Sequence, residues 1–339
     1  MRKRFLIMLI CLVLLLSGCQ VKAVRNEEKT ASLFAMDTSM TFRLIGGSEE
    51  LLSSLQKRVS EVENQVSVTR EDSDVYILNH EHIVSASEDT YAIISRALDL
   101  CRETDGALDI SVYPVVREWG FTTGVYQVPN AAAIAELLKN VDYKAVKIDG
   151  SVISVPENMS VDLGSVTKGY TGEILAEMIR SAGVKSAILD LGGNVQTVGC
   201  RPDGTPWRVA VRSPEGDGLI GVVEISDEAV VTSGGYERYF EDDKGNIWWH
   251  IMDPSTGYPA RNGVISMTII GRDGIRCDGL STALFVMGSQ HAVEFWKNHK
   301  DFEMIMITDK KELILTPALE KRFTPDPSIP YEIIVLPES

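Results

Sequence analysis

The sequence predicts a mixed α+β fold, arranged as a single domain of two lobes in which mixed or antiparallel sheets are flanked by helices. Helical patterns dominate the first half of the chain, and strand patterns outnumber them in the second half. No tandem repeat or long low-complexity linker interrupts residues 32–317. The chain has 339 residues, of which 44% are hydrophobic. That is enough to bury one or two large cores.

Four helices are predicted from apolar periodicity and from residues that favour helix ends. In the first, leucines and valines recur on one face while Lys57, Glu61 and Glu63 lie off it, as in an amphipathic helix. Asn130 is placed to cap the third helix, and Gly183 to end the fourth. The predicted helices are residues 51–66, about 88–103, a helix that begins after Asn130, and about 167–181.

Strands are predicted where β-branched and apolar residues cluster between turn residues. The last two flank Asp309-Lys310-Lys311, which favours a hairpin, and the tail over residues 321–339 contains four prolines and is predicted to run over the surface. The predicted strands are Ala187–Leu191, Trp207–Arg212, Gly221–Ile225, Ala229–Thr232, Ile265–Gly271, Met304–Thr308 and Glu312–Thr316.

The N-terminus has the pattern of an export signal. Three basic residues precede an uninterrupted apolar run over residues 5–16, which is too short to span a bilayer comfortably. The next segment, Leu16-Ser17-Gly18-Cys19, resembles the lipobox of bacterial lipoproteins. That resemblance implies a signal peptide over residues 1–18, acylation of Cys19 and a lipid-anchored tether over residues 19–31. The protein would then lie on the extracytoplasmic face of the cell membrane. An ordinary cleaved signal with a chance cysteine is the alternative.

The charge of the chain argues against nucleic acid as a partner. The formal net charge is −15, from 33 Lys+Arg and 48 Asp+Glu. Removal of residues 1–18 takes away three basic residues and leaves a net charge of −18. No run of Lys and Arg with interleaved aromatic residues offsets this acidity.

Four glycine-containing loops are placed at the end of a predicted strand or the start of a helix, where backbone N–H groups can meet an anion. Each loop alone is weak evidence, because ordinary turns have the same composition. Together they indicate a phosphate-rich ligand, although neither a Walker loop nor a Gly-x-Gly-x-x-Gly fingerprint is present. The loops are Asp162-Leu163-Gly164-Ser165, Gly192-Gly193-Asn194, Ser233-Gly234-Gly235-Tyr236 and Asp253-Pro254-Ser255-Thr256-Gly257.

Asp278 and Thr282 are the candidate metal ligands. They are four residues apart at the front of the apolar stretch over residues 280–287, so a helix that begins there places a carboxylate and a hydroxyl on one face. Hard oxygen ligands of this kind suit magnesium, which keeps coordination positions for a substrate phosphate. The alternative is that Asp278 only caps the helix.

Two other chemistries find little support. The five histidines show no metal-ligand spacing beyond the pair His80 and His82, which argues against zinc. A hydrolase built on Ser233 and His250 can be imagined, but the chain has no Gly-x-Ser-x-Gly elbow.

Taken in order, these segments resemble the ApbE family of FAD:protein FMN transferases, whose members are commonly bacterial lipoproteins. The resemblance covers about residues 32–320 and depends on eight segments in the family's order. They are residues 35–38, 73–79, 105–121, Val161–Tyr170, Asp190–Asn194, Thr232-Ser233-Gly234, His250–Gly257 and Asp278–Leu284.

The resemblance implies roles for individual positions. Asp278 and Thr282 match the family's magnesium ligands, with Ser165 as the source of a third oxygen. Lys168 is expected to bind the substrate and not to transfer a proton. The positions expected to contact FAD are Met36, Thr69, Ala107, Leu108, Asp109, Asp162, Lys168, His250, Ile251, Met252 and Asp253.

Two positions depart from the family's pattern. Asp37 stands where the family usually has glycine. Thr69 stands where an aromatic residue often stacks on the cofactor, and this weakens the expectation of stacking at that position.

The activity implied by the resemblance is magnesium-dependent transfer of FMN from FAD to a threonine of an acceptor flavoprotein, with release of AMP. Residues 32–320 would form the transferase domain, with Asp278 and His250 as candidate catalytic bases. The expected partners are FAD, a membrane-bound or exported acceptor of an electron-transport complex, and the membrane through the lipid anchor. Two alternatives remain: an FAD pyrophosphatase that releases FMN and AMP, and a non-catalytic flavin-binding lipoprotein.

Overall fold

The computed structural model describes residues 27–216 and 218–338. The predicted signal peptide, Cys19 and most of the predicted tether lie outside this range. No helix of the described part is long and apolar enough to cross a membrane. The eight α-helices of this part are α1 (Glu49–Val66), α2 (Asp74–Glu81), α3 (Glu88–Glu103), α4 (Tyr113–Glu118), α5 (Ala131–Leu137), α6 (Thr167–Ser181), α7 (Gly274–Met287) and α8 (Ser289–His299).

Nineteen strands accompany the helices in the described residues. Strands β1 to β10 are Glu28–Ala35, Thr38–Ile45, Ile83–Ser85, Lys147–Asp149, Val152–Ser154, Ala187–Asp190, Asn194–Val198, Trp207–Arg212, Leu219–Ile225 and Ala229–Gly234. Strands β11 to β19 are Tyr239–Glu241, Ile247–Trp249, Met252–Asp253, Tyr258–Pro259, Val264–Gly271, Glu303–Thr308, Glu312–Leu315, Phe323–Pro325 and Glu332–Val335.

Nine strands form the main sheet, in the order β1-β2-β6-β7-β10-β15-β16-β17-β19. Neighbouring strands in this sheet are antiparallel except β17 and β19, which are parallel. The smaller sheets have the orders β18-β9-β8 and β3-β5-β4, and β11-β12 and β13-β14 are separate hairpins. The predicted α+β class is therefore confirmed.

Each face of the middle of the main sheet packs into a different apolar core. Successive side chains of a strand point to opposite faces, so one strand contributes to both cores. Met267 and Ile269 of β15 belong to the largest apolar cluster, which includes residues of α3 and α7. Ile270 belongs to a second cluster, formed with Trp207 and Val223 of the small β18-β9-β8 sheet. Helices α6 and α7 pack on each other and on the central strands of the main sheet.

Helix α1 shows why the helix predictions succeed. Ser48 caps its N-terminus by accepting a hydrogen bond from the backbone N–H of Leu51 at 3.1 Å, and two acidic residues occupy its first turn. Its buried face consists of Leu52, Leu55, Val59, Val62 and Val66. The helices predicted at residues 88–103, after Asn130 and at 167–181 also form, as α3, α5 and α6.

Three differences from the prediction concern the start of α7, the start of β1 and the tail. Helix α7 begins at Gly274 and not at Asp278. Strand β1 begins at Glu28, inside the predicted tether, because it pairs along its length with β2. The tail does not only cover the surface, since its residues Phe323–Pro325 pair with β9 and Glu332–Val335 pair with β17.

The turn between β1 and β2 places Met36 and Asp37 in the left-handed region, with φ values of 51° and 59°. Two consecutive positive φ values are typical of the type I′ turn that favours glycine in its second position. This geometry explains why glycine is usual at position 37 in the family that the sequence resembles.

We expect Asp37→Gly to raise the free energy of unfolding by about 0.5–1 kcal/mol, because glycine adopts this conformation without steric cost. Asp37→Ala should lower it, since alanine has no polar side chain that stabilises the left-handed conformation locally. Urea unfolding of both variants measures the difference. Equal stabilities of the glycine and alanine variants would contradict this account of the turn.

Candidate active site

The candidate site is built where the first turns of α6 and α7 cross. Gly169 of α6 and Gly274 of α7 face each other there. A Cβ atom on Gly169 would lie 2.2 Å from the carbonyl oxygen of Gly274, and one on Gly274 would lie 2.6 Å from the carbonyl oxygen of Gly169. The two backbones are therefore in direct contact, which only residues without side chains permit.

Asp278 connects the two helices at this crossing. Its side chain is buried, and its Oδ2 accepts a hydrogen bond of 2.8 Å from the backbone N–H of Gly169. Helix α6 has no side-chain cap of its own at Val166, so Asp278 satisfies one of its free N–H groups. The cap of α7 is Asp273, whose side chain accepts from the N–H of Arg276. The alternative that Asp278 caps its own helix is therefore wrong.

Burial raises the pKa of Asp278 to about 6. The positive charge of Lys168 and the backbone N–H groups of Lys168 and Gly169 oppose this rise without cancelling it. A buried carboxylate in this condition is incompletely compensated and would be stabilised by a further positive charge.

Two serine hydroxyl groups are linked to Thr282, the second predicted ligand. Thr282 is one turn along α7 from Asp278, and its Oγ1 lies 3.3 Å from Oγ of Ser233 at the end of β10. Ser233 Oγ lies 2.8 Å from Oγ of Ser281, which donates to the carbonyl oxygen of Asp278 at 2.8 Å. The structure thus adds Ser233 and Ser281 to the residues expected from the sequence.

The stretch around Ser165 meets the stretch around Asp278. Val166 follows Ser165 directly, and its Cγ1 lies 3.4 Å from the position of a Cβ atom on Gly279. Leu108 packs at the same glycine, with Cδ2 at 3.2 Å from that position. Two of the predicted site segments therefore converge on α7 beside Asp278.

The side chains at this crossing fit magnesium better than a transition metal. Asp278, Thr282 and the Ser165 segment offer hard oxygen atoms, and the buried carboxylate lacks a full countercharge. In the residues that the structure describes, no three or more His, Cys, Asp or Glu side chains cluster as a metal site. A cation here would therefore need further oxygen ligands from a substrate or water.

A second group of charged residues extends the site from Lys168. The charge of Lys168 acts on both Asp278 and His250, and the charge of Arg238 acts on both His250 and Asp162. Arg238 is held in place by its Nη2, which donates to the carbonyl oxygen of Phe121 at 2.8 Å. Arg238 was not predicted as a site residue. Together the two cations suit an anionic ligand.

His250 is held in the neutral form. Burial and the nearby charges of Arg238 and Lys168 lower its pKa to about 4. Its Nδ1 lies 3.2 Å from the carbonyl oxygen of Arg238, and its ring meets Phe121 edge-on at 6.2 Å. The imidazole is therefore unprotonated at neutral pH and does not contact Ser233, so the structure shows no Ser/His pair of a hydrolase.

Met36 and Asp162 lie where they can border the site. The backbone N–H of Met36 donates to Oε1 of Glu63 at 2.5 Å, and its side chain packs against two apolar clusters, one of which contains Val166. Asp162 Oδ1 accepts from the N–H of Gly164 at 2.9 Å. Burial raises the pKa of Asp162, and the Gly164 N–H and Arg238 oppose the shift.

Other predicted contact residues have roles within the protein. Both carboxylate oxygens of Asp109 accept hydrogen bonds, from Ser111 at 2.8 and 2.6 Å and from the N–H of Tyr143 at 3.2 Å. Asp253 Oδ1 accepts from the N–H and hydroxyl of Ser255. These carboxylates therefore stabilise turns within the protein.

The remaining predicted positions divide between the core and the surface. Leu108, Ile251 and Met252 are buried, and Ala107 is half-buried against the largest core cluster. Thr69 is exposed, and its hydroxyl pairs with that of Ser67 at 3.1 Å. The structure does not bring Thr69 into contact with the groups around Asp278.

The chain is similar in sequence to a known enzyme family. Residues 36–306 match the sequence profile of the ApbE family. The FAD:protein FMN transferase of Klebsiella pneumoniae (strain 342) is 32% identical over 308 residues, which cover 88% of this chain and 95% of the relative. The FAD:protein FMN transferase of Vibrio cholerae serotype O1 is 33% identical over 298 residues, which cover 83% of this chain and 87% of the relative.

The fold is also similar to solved structures. The crystal structure of the ApbE protein from Thermotoga maritima superposes with a TM-score of 0.81 at 30% identity and covers 87% of this chain and 99% of that one. The flavin transferase ApbE from Vibrio cholerae superposes with a TM-score of 0.77 at 26% identity and covers 87% of this chain and 100% of that one.

Gly169→Ala should lower the free energy of unfolding by about 3 kcal/mol, because the new Cβ would collide with the backbone of α7 and force the two helices apart. Denaturant unfolding measures this loss. Glu177→Ala, on the exposed face of the same helix, is the control and should change stability by less than about 0.5 kcal/mol. A Gly169→Ala protein as stable as the control would show that the helices do not touch there.

The low pKa of His250 predicts a pH dependence of stability. Between pH 6.5 and 4 the unfolded chain binds a proton on this histidine that the folded protein excludes, so its contribution is complete above pH 6.5 and is lost as the pH falls towards 4. His250→Gln should reduce the fall in unfolding free energy from pH 7 to pH 4.5 by about 1–2 kcal/mol. Urea titrations at both pH values measure it, and an identical fall in both proteins would contradict the neutral imidazole.

Proposed function

The chain belongs to the ApbE family, and we propose that it uses magnesium to move FMN from FAD onto a threonine of an exported acceptor protein. The family resemblance seen in the sequence is confirmed, and so is the enzyme class: the protein is a transferase that moves FMN from FAD to an acceptor protein, the activity for which its curated relatives are named. The magnesium ion, the threonine and the membrane anchor are the parts that we propose.

The convergence at Asp278 is the observation that supports magnesium. A buried carboxylate of raised pKa meets the first turn of α6, which follows the Ser165 segment, and Thr282 is one turn further along α7. Asp278, Thr282 and Ser165 are the residues that would hold the ion. When bound, magnesium would neutralise negative charge on the diphosphate of FAD.

The cations of the site and the dipole of α6 support binding of that diphosphate. Helix α6 presents the start of its dipole at Thr167 and Lys168, where an anionic group is favoured. Lys168 and Arg238 add positive charge near His250. These groups orient the diphosphate and reduce the charge repulsion that an incoming nucleophile meets.

In the proposed step, the threonine hydroxyl oxygen forms a bond to the phosphorus on the FMN side of FAD. The bond between that phosphorus and the bridging oxygen breaks, and AMP leaves with the bridging oxygen and its electron pair. The hydroxyl proton passes to a base on the protein. Asp278 and His250 are the candidates, because His250 is unprotonated at neutral pH and Asp278 is a carboxylate above about pH 6.

The lipid anchor at Cys19 would confine the enzyme to the surface where exported acceptors are found. Cys19 lies eight residues before Glu27, the first residue that the structure describes. Confinement of enzyme and acceptor to one membrane surface raises their effective concentration. Mass spectrometry of the mature protein tests this part, and an unmodified Cys19 in the membrane fraction would contradict it.

The central experiment compares two substitutions of Asp278. An asparagine in its place can still accept the hydrogen bond from Gly169, whereas alanine cannot. We expect both variants to lose FMN transfer by about 100-fold or more, because both remove the carboxylate. Only Asp278→Ala should also lose about 1–3 kcal/mol of stability, since it leaves the N–H of Gly169 unpaired. The mass of an acceptor incubated with FAD and magnesium measures transfer.

Asp273→Asn is the matched control. Asp273 is the N-cap residue of α7, the helix that also carries Asp278, and it lies on the surface. The variant should transfer FMN at nearly the wild-type rate. Free FMN released equally fast with and without acceptor would instead indicate the pyrophosphatase. Full transfer by Asp278→Asn, or transfer by the wild type in excess EDTA, would contradict the magnesium site.

A further inference from the structure

Three hydroxyl groups form a continuous line from the end of β10 into α7. Thr282 Oγ1 lies 3.3 Å from Ser233 Oγ, and Ser233 Oγ lies 2.8 Å from Ser281 Oγ. Ser281 Oγ lies 2.8 Å from the carbonyl oxygen of Asp278. Ser281 is fully buried, and Ser233 and Thr282 are half-buried, so the line runs from the core towards the site.

The directions of these hydrogen bonds follow from the number of hydrogens. A carbonyl oxygen only accepts, so Ser281 must use its single hydrogen on Asp278. Ser233 must then donate its hydrogen to Ser281. Ser233 has no second hydrogen, and its contact with Thr282 therefore requires the Thr282 hydroxyl to donate.

This direction is unusual for a threonine inside a helix. Such a hydroxyl commonly donates to a carbonyl oxygen three or four residues earlier. In α7 the carbonyl of Asp278 already accepts from Ser281, and Ser233 is the partner of the Thr282 hydroxyl among the described residues. The hydrogen of Thr282 is thus turned towards β10, and within the described part of the chain no group donates to either lone pair of the Thr282 hydroxyl oxygen.

We propose that Ser233 and Ser281 are positioning residues that orient the Thr282 hydroxyl as a metal ligand. This inference rests on the proposed function, because it takes Thr282 as a magnesium ligand. A hydroxyl binds a cation through an oxygen lone pair. If its hydrogen already points away from the cation, the hydroxyl does not have to rotate when the cation binds, and no free energy is lost in that rotation. Partners of this kind, one bond away from a ligand, commonly change metal affinity.

The line of hydroxyl groups also gives Ser281 a role, although its hydroxyl bonds to Ser233 and to the carbonyl oxygen of Asp278 and not to the hydroxyl of Thr282. Loss of the Ser281 hydroxyl would release the hydrogen of Ser233, which could then point at Thr282 and occupy one of its lone pairs. Ser281→Ala should therefore weaken metal binding through Ser233. If Ser233 contributed only to local packing, Ser281→Ala would not weaken metal binding.

The test measures the affinity of Mn²⁺, as a spectroscopic substitute for magnesium, for the full-length protein in detergent with saturating FAD and no acceptor. We expect Ser233→Ala to raise the Kd for Mn²⁺ about tenfold and Ser281→Ala about threefold. Ser233→Thr keeps the hydroxyl and should stay within twofold of the wild type. The Kd for FAD in EDTA should be unchanged in all three variants, and the rate of transfer by Ser233→Ala should recover at saturating metal.

Thr232→Val is the matched control, because Thr232 is the neighbour of Ser233 on β10 and its hydroxyl pairs with Thr268, outside the line. It should bind Mn²⁺ as the wild type does. Unchanged Mn²⁺ affinity in Ser233→Ala, or an equal loss in Thr232→Val, would overturn the inference while leaving the proposed function intact. Failure of the wild type to bind Mn²⁺ would overturn the magnesium proposal and this inference with it.

Discussion

The hydrogen bond from the backbone of Gly169 to the carboxylate of Asp278 is the interaction on which the site depends. It joins residues 109 positions apart and brings the first turns of α6 and α7 together. It forms only because Gly169 and Gly274 have no side chains at the crossing. The same carboxylate serves as the cap of one helix and as a proposed ligand of the cation. Stability and catalysis therefore share one side chain, and only a substitution that keeps the hydrogen bond can separate them.

Much of the fold could be predicted from local sequence. Helices α1, α3 and α5 have a serine or asparagine cap, α6 is marked by its apolar residues and by Gly183 after its end, and the hairpin between β16 and β17 has a polar turn. Strand β7 was missed for a physical reason. It lies in the middle of the main sheet, where Asn194, Gln196 and Thr197 are buried beside valines, so no alternation of polar and apolar residues marks it.

The site was predictable only in part. The spacing of Asp278 and Thr282 indicates a shared helix face. It does not show that Ser165 and Ser233 lie nearby, and only the family resemblance indicates Ser165. The sequence places Ser233 in a glycine-containing loop and in one of the family's segments. It does not place Ser233 beside Thr282, because the contacts of Ser233 with Ser281 and Thr282 span 48 and 49 residues. The structural roles of Asp109 and Asp253 are also not visible in the spacing. The family resemblance implies ligand contacts at both residues, and the structure adds that their carboxylates stabilise local turns.

The most direct test of this account is a crystal structure of the protein with FAD and Mn²⁺, recorded at a wavelength where manganese scatters anomalously. We expect one anomalous peak about 2.2 Å from oxygen atoms of both Asp278 and Thr282, with the diphosphate of FAD on its other side. A peak elsewhere, or FAD bound with its diphosphate remote from the α6–α7 crossing, would contradict the account.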